Sequence, residues 1–128
     1  VDGTLSKKSG IIDLPIARKK DSIIERCISV DGQTSITNYR VLKESHNISL
    51  IQCKLETGRT HQIRVHAASL NHPLLGDPLY GPKTNKLKVV GQTLHAKKLG
   101  FIHPSKNEYV EFNSELPEYF QKIINRIK

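Results

Sequence analysis

Apolar and polar residues begin to alternate at Ser35. Thr37, Tyr39 and Val41 fall on one face of a predicted strand. Ile51, Cys53 and Leu55 fall on one face of another, with Gln52, Lys54 and Glu56 opposite. A polar turn at Glu44-Ser45-His46-Asn47 separates the two runs, which predicts an antiparallel pair. Thr57-Gly58 punctuates the second strand, and the period then lengthens. Ile63, Ala67 and Leu70 recur at helical spacing, so a helix is predicted from about Thr60 to Leu70 with these three as its buried stripe. Asn71 stands where a C-terminal cap belongs, and Pro73 bars further helix.

The flanks are less regular. Residues 1–24 are polar and basic, with an apolar patch broken by Pro15, and read as a loop with one short strand. After a loop-rich "HPLLGDPLYGP" comes the basic "KTNKLKVVGQ". Leu94–Ile102 and Glu108–Asn113 read as short strands joined by the turn at His103-Pro104. In the tail, Phe120, Ile123, Ile124 and Ile127 are spaced for an amphipathic closing helix whose apolar stripe is expected in the core. With no repeat and no linker, residues 1–128 read as a single domain.

A chain of 128 residues holds one core at most. Its 37% hydrophobic and 25% charged residues place it among globular proteins. No apolar run approaches the roughly 18 residues of a membrane span, and Val1 to Gly10 lacks the apolar centre of a secretory signal. Cys27 and Cys53 stand far apart and in no CxxC pair, which fits a reducing cytoplasm and excludes a Cys-rich zinc module. Twenty Lys and Arg against 12 acidic residues give +8, a surplus suited to a polyanionic partner such as nucleic acid. The chain has no Met, so a start at Val1 suggests processing or a fragment.

Polar chemistry concentrates in "LETGRTHQIRVHAASLNHPLLGDPLYG", Leu55 to Gly81. His61 and His66 are five apart, about 140° around a helix, with no Glu between them, so the spacing argues against a zinc pair. Ser69 lacks the Gly-x-Ser-x-Gly context, and Gly58-Arg59-Thr60 is no Walker loop. What remains is Arg59 and Arg64 flanking a strand-to-helix junction, a place that suits a phosphate or an ionised carboxylate. The residues alone leave two readings open: a basic, anion-facing site, or two solvated arginines.

At these same residues the sequence resembles a known family. "TGRTHQIRVH", then "HPLLGDPLYG", then Leu94-His95-Ala96, His103-Pro104 and Leu116-Pro117, resemble in order and spacing the RluA-type pseudouridine synthases, over essentially the whole chain. The resemblance implies an α+β fold, a mixed and mostly antiparallel sheet with flanking helices. It implies isomerisation of uridine to pseudouridine in structured RNA, rRNA or tRNA, with no cofactor and no metal. The target uridine would be flipped into a pocket and attacked by a catalytic aspartate. By the same resemblance Arg64 pairs with that aspartate, with Arg59 the runner-up. His61 and Gln62 line the region and Ile63 packs beneath it. Leu74 and Leu75 wall the pocket, and Asp77 fixes a loop rather than acting as catalyst. Lys83, Lys86, Lys88, Lys97 and Lys98 are candidate phosphate contacts.

Two departures stand out. The family's aspartate lies in a His-Arg-Leu-Asp segment, and none of the five aspartates here, Asp2, Asp13, Asp21, Asp31 and Asp77, has that context. Val1-Asp2-Gly3 looks like the tail of the strand that carries the family's active-site tyrosine. The chain is therefore expected to be the C-terminal half of a catalytic domain, inactive alone, with the missing N-terminal half as a partner and a tendency to self-associate. Gly91 stands where the family often has an arginine. The competing readings are a non-catalytic RNA-binding module and a protein-interaction domain.

Overall fold

The computed structural model describes residues 1–45, 47–82 and 91–126. The expected phosphate contacts Lys83, Lys86 and Lys88, and Ile127 of the tail stripe, lie outside the described residues. In chain order the elements are β1 (Ser9–Asp13), β2 (Ile16–Arg18), β3 (Arg26–Ile28), β4 (Ile36–Ser45), β5 (Ile48–Leu55), α1 (Gln62–Ser69), β6 (Lys98–Ile102), β7 (Tyr109–Asn113) and α2 (Glu118–Ile124). No helix among the described residues is long and apolar enough to cross a membrane.

The alternating runs form the antiparallel pair β4–β5, in the register their faces require. Thr37 lies opposite Leu55, Tyr39 opposite Cys53 and Val41 opposite Ile51, with a bulge between Val41 and Lys43. β1 adds to the free side of β4, giving the order β1-β4-β5. The N-terminal stretch holds more structure than its pattern shows. Besides β1 it forms a second ribbon, β2–β3, of three residues a side. Runs that short carry no readable alternation.

The helix is shorter than expected, and its buried face is different. Gln62, Val65, His66 and Ala67 are buried, whereas Ile63 and Leu70 are half-buried. Periodicity put the stripe on the apolar residues, but the structure turns two polar ones inward because partners await them on β4. The end is as expected: Asn71 sits at φ 66°, and His72 and Asn71 donate to the carbonyls of Ala67 and Ala68. Leu5, Ile12, Ile16, Ile48, Val65, Ala67, Leu74 and Leu75 make the apolar core.

The chain divides into two compact units, and all of that core belongs to the first, which runs to Thr93. The second, Leu94–Arg126, comprises the β6–β7 ribbon and α2, with Phe101 and Phe112 stacked at 6.0 Å between ring centroids. None of its residues is buried. The closing helix is therefore not core: Phe120, Ile123 and Ile124 reach only half burial. One ribbon and two helical turns enclose too little volume to bury a stripe.

Candidate functional site

The positioning of α1 starts with a relay of buried polar groups. Gln62 Nε2 donates to Thr37 Oγ1 (2.9 Å) and to the Ile36 carbonyl (3.0 Å). His66 Nε2 faces the Leu14 carbonyl at 2.9 Å, an acceptor only, so the proton of the neutral ring sits on Nε2. Nδ1 then accepts from the Thr37 hydroxyl, 2.9 Å away. Burial pushes the His66 pKa down against the pull of the Leu14 carbonyl, which keeps the ring neutral. Gln62 Oε1 completes the set by accepting from Thr57 Oγ1 and the Arg59 N–H. The relay fixes the helix on β4 and the loop before it.

On the adjoining face of α1, Arg64 makes a two-pronged ion pair with Asp77. Nε donates to Oδ2 at 2.9 Å and Nη2 to Oδ1 at 2.8 Å. The Asp77 side chain is fully buried and that of Arg64 is 11% exposed, so neither charge could stand without the other. Asp77 Oδ1 also accepts the backbone N–H groups of Leu79 and Tyr80, folding the Gly76–Gly81 loop around the carboxylate. Burial alone would raise its pKa. The Arg64 hydrogen bonds and the two N–H groups outweigh that and hold it below the usual carboxylate range. The bond to Asp77 raises the Arg64 pKa in turn, against its desolvation.

Tyr80 closes the cluster. The Arg64 guanidinium lies 5.1 Å from its ring centroid. Its hydroxyl accepts the Arg26 N–H at 2.8 Å and meets His61 Nδ1 at 2.7 Å. Desolvation, then the charges of Arg64 and Arg26, lower the His61 pKa, and burial raises that of Tyr80. His61 Nδ1 and the Tyr80 hydroxyl thus share a hydrogen bond between two groups whose charged forms burial disfavours. His61 itself sits at φ 57°, a left-handed conformation that costs a non-glycine residue energy. That strain sits at the junction between the relay and the arginine cluster.

Several expectations change. Arg64 has a partner within the chain: Asp77, expected only to fix its loop, does that and also pairs with Arg64 through two of its donors. Gln62 lines no open site, because both its donors and both acceptor positions are taken. Ile63 faces a small apolar cavity beside Tyr39 and Cys53 rather than lying beneath Arg64. Arg59 is drawn elsewhere, its Nε on the Thr34 carbonyl at 2.9 Å, and lines a separate cleft with Arg18 and Arg26. Leu74 and Leu75 are buried under the loop at 3% exposure each. Lys97 bonds to the Ser114 carbonyl and Lys98 faces Glu111 at 3.6 Å, both exposed. Sequence reading missed Tyr80, Thr37 and His66; Tyr80 lies three residues past Asp77, at the end of the same loop motif.

The fold and the cluster together define a class. Residues 3–69 match the family described as RNA pseudouridylate synthase, and the chain belongs to that family. The RluA-type resemblance is thereby borne out. Among curated relatives, the uncharacterized RNA pseudouridine synthase YlyB of Bacillus subtilis is 44% identical over 128 residues, covering 100% of this chain and 42% of its own length. The ribosomal large subunit pseudouridine synthase D of Zymomonas mobilis is 41% identical over 136 residues, covering 99% of this chain and 43% of its own length. The chain thus spans less than half the length of these relatives. Among solved structures, human RNA Pseudouridylate Synthase Domain Containing 1 superposes with a TM-score of 0.78 at 28% identity, covering 91% of this chain and 51% of that one. The α+β architecture agrees with theirs.

Proposed function

We propose that this chain is the C-terminal portion of the catalytic domain of an RNA pseudouridine synthase, acting on uridine in rRNA or tRNA and inactive on its own. In that reaction the N1–C1′ glycosidic bond breaks, the uracil turns, a C5–C1′ bond forms, and the proton lost from C5 is balanced by one gained at N1. The chain would supply Arg64, and an upstream segment the aspartate that attacks the nucleoside.

One observation carries this reading. A guanidinium has five N–H donors, and Asp77 takes two of them, which leaves three with no described protein acceptor. An arginine braced on one edge by a buried carboxylate and backed by a tyrosine ring presents its other edge in a fixed direction. A second carboxylate placed there would be held ionised and oriented. Asp77 cannot be that attacking group, since its side chain is fully buried and its oxygens accept four hydrogen bonds. His61 and Tyr80 would border the same pocket.

On this reading, an upstream segment would join at the N-terminal strand pairing. Val1 and Ser49 exchange backbone hydrogen bonds, and Asp2 bridges Ile48 in antiparallel sense. A preceding segment continuing that strand would run along the outer edge of β5. The exposed Leu99, Phe101, Ile102 and Phe112 give the chain alone a surface prone to self-association.

The test is tritium release from RNA labelled at uridine C5, comparing this chain with the same chain extended upstream by its own coding sequence. Release from the extended form alone is expected. Release from neither would refute the synthase reading and leave a non-catalytic RNA-binding module.

A further inference from the structure

The β2–β3 ribbon and the loop before α1 enclose a second feature, a cleft of about 280 Å³ walled by Arg18, Arg26 and Arg59. Arg18 and Arg26 are direct register partners across the ribbon. Like charges directly opposite one another destabilise an antiparallel pair. The next cross-strand pair is matched: Lys19 and Glu25 form an ion pair at 3.0 Å. Asp31 is the carboxylate on the cleft wall, yet among the described residues none of the three arginines pairs with it or with any other.

Two of the three arginines are nonetheless held in place. The Arg59 backbone N–H is fixed by Gln62 Oε1 and its Nε by the Thr34 carbonyl, which leaves both η nitrogens without an acceptor among the described residues. Arg26 is anchored by its N–H to Tyr80 Oη, while its Nη1 rests against carbonyls of its own turn at 3.3–3.4 Å. The floor is tightly built. Gly32 lies flat on the Ile16 backbone, and a Cβ there would come within 2.5 Å of the Ile16 carbonyl carbon. Three arginines line one cleft with no ion-pair partner among the described residues, on a floor that admits no side chain. That arrangement is complete only when an anion enters.

We propose that this cleft is a phosphate-binding subsite and, resting on the synthase reading, that it seats one backbone phosphodiester of the substrate RNA. Guanidinium forks suit the paired oxygens of a phosphate. Because Arg26 is tied through Tyr80 to the Arg64 cluster, a phosphate held here would fix the strand relative to Arg64 without touching the reacting base.

Two measurements on the whole chain test the proposal. In the first, arginine Nε–H NMR signals are followed as inorganic phosphate is added. Arg18, Arg26 and Arg59 should shift together while Arg40 and Arg64 stay put, and Arg18→Gln should abolish the response. No shift, or an equal shift at Arg40, would overturn the subsite. In the second, a uridine-rich RNA oligonucleotide is titrated at several salt concentrations. Arg18→Gln and Arg59→Gln should each weaken binding about tenfold and flatten the log K against log salt slope by about 0.7. Arg18→Lys should recover the slope but only part of the affinity. If the wild-type chain binds RNA and the Gln variants match it, the subsite falls and the synthase reading stands. If phosphate moves the three arginines but RNA does not bind, the anion site stands and its assignment to an RNA phosphodiester falls.

Discussion

Arg64 and Arg59 sit five residues apart on either side of one helix start, and the fold treats them oppositely. Arg64 is nearly buried, neutralised by Asp77 and stacked beside Tyr80. Arg59 lines an open cleft with two more arginines, none of the three in an ion pair among the described residues. A paired, braced guanidinium is fixed in direction and suits one defined contact. Unpaired guanidiniums sharing a cleft are suited to an anion from outside. The same residue type, in one motif, is thus held in two ways, and the difference lies in whether a carboxylate is supplied within the described chain.

The largest effect should come from removing that carboxylate. Asp77→Ala strands a nearly buried cation and should destabilise the chain by about 3–5 kcal/mol, read as a drop in the urea midpoint. A loss under about 1 kcal/mol would mean Arg64 stays solvated and the two arginines are alike after all. Next comes the relay that sets the helix between them. Thr37→Val removes both an acceptor for Gln62 and a donor to His66, and should cost about 1–3 kcal/mol by the same measurement. An unchanged midpoint would free the helix from that relay.

Acid should act on the relay before it acts on the ion pair. The His66 pKa is depressed below its ordinary 6.5, so below that pH the unfolded chain binds the proton and the native ring does not. Stability should therefore fall as pH drops through and below about 6.5, His61 adding in the same direction. His66→Gln should flatten that part of the profile; an equally steep profile would assign it elsewhere. The Asp77 contribution is present above the ordinary carboxylate pKa of 3.8 and is lost only as pH falls below it. The smallest effect belongs to an exposed pair: Lys98→Gln, opposite Glu111, should change stability by less than about 0.5 kcal/mol in a thermal melt.

Legibility in the sequence follows the same division. The β4–β5 pair could be read from Thr37, Tyr39 and Val41 against Ile51, Cys53 and Leu55, because alternation over many residues defines both faces. The cap at Asn71 was legible for a local reason, a residue tolerant of positive φ before a proline. Three-residue strands were not, since β2 and β3 are defined by their partner rather than by pattern. Nor was the inward turn of Gln62 and His66: polar residues on a helix read as solvent-facing unless the partner, here Thr37 some 25 residues earlier, is known to be in reach. The Arg64–Asp77 pair was hidden for a different reason. Both residues were singled out, but motif resemblance assigned each a role separately, and only folding the Gly76–Gly81 loop brings them together.

The contrast between the two arginines is tested most directly in the upstream-extended chain, with Arg64→Gln and Arg59→Gln assayed side by side. Single-turnover tritium release and RNA affinity are measured for each. Arg64→Gln should slow release by at least about 100-fold while RNA affinity holds. Arg59→Gln should keep the rate at saturating RNA and lose affinity. Near-normal release by Arg64→Gln, or loss of release by Arg59→Gln at saturation, would contradict the division of labour between the braced arginine and the open cleft.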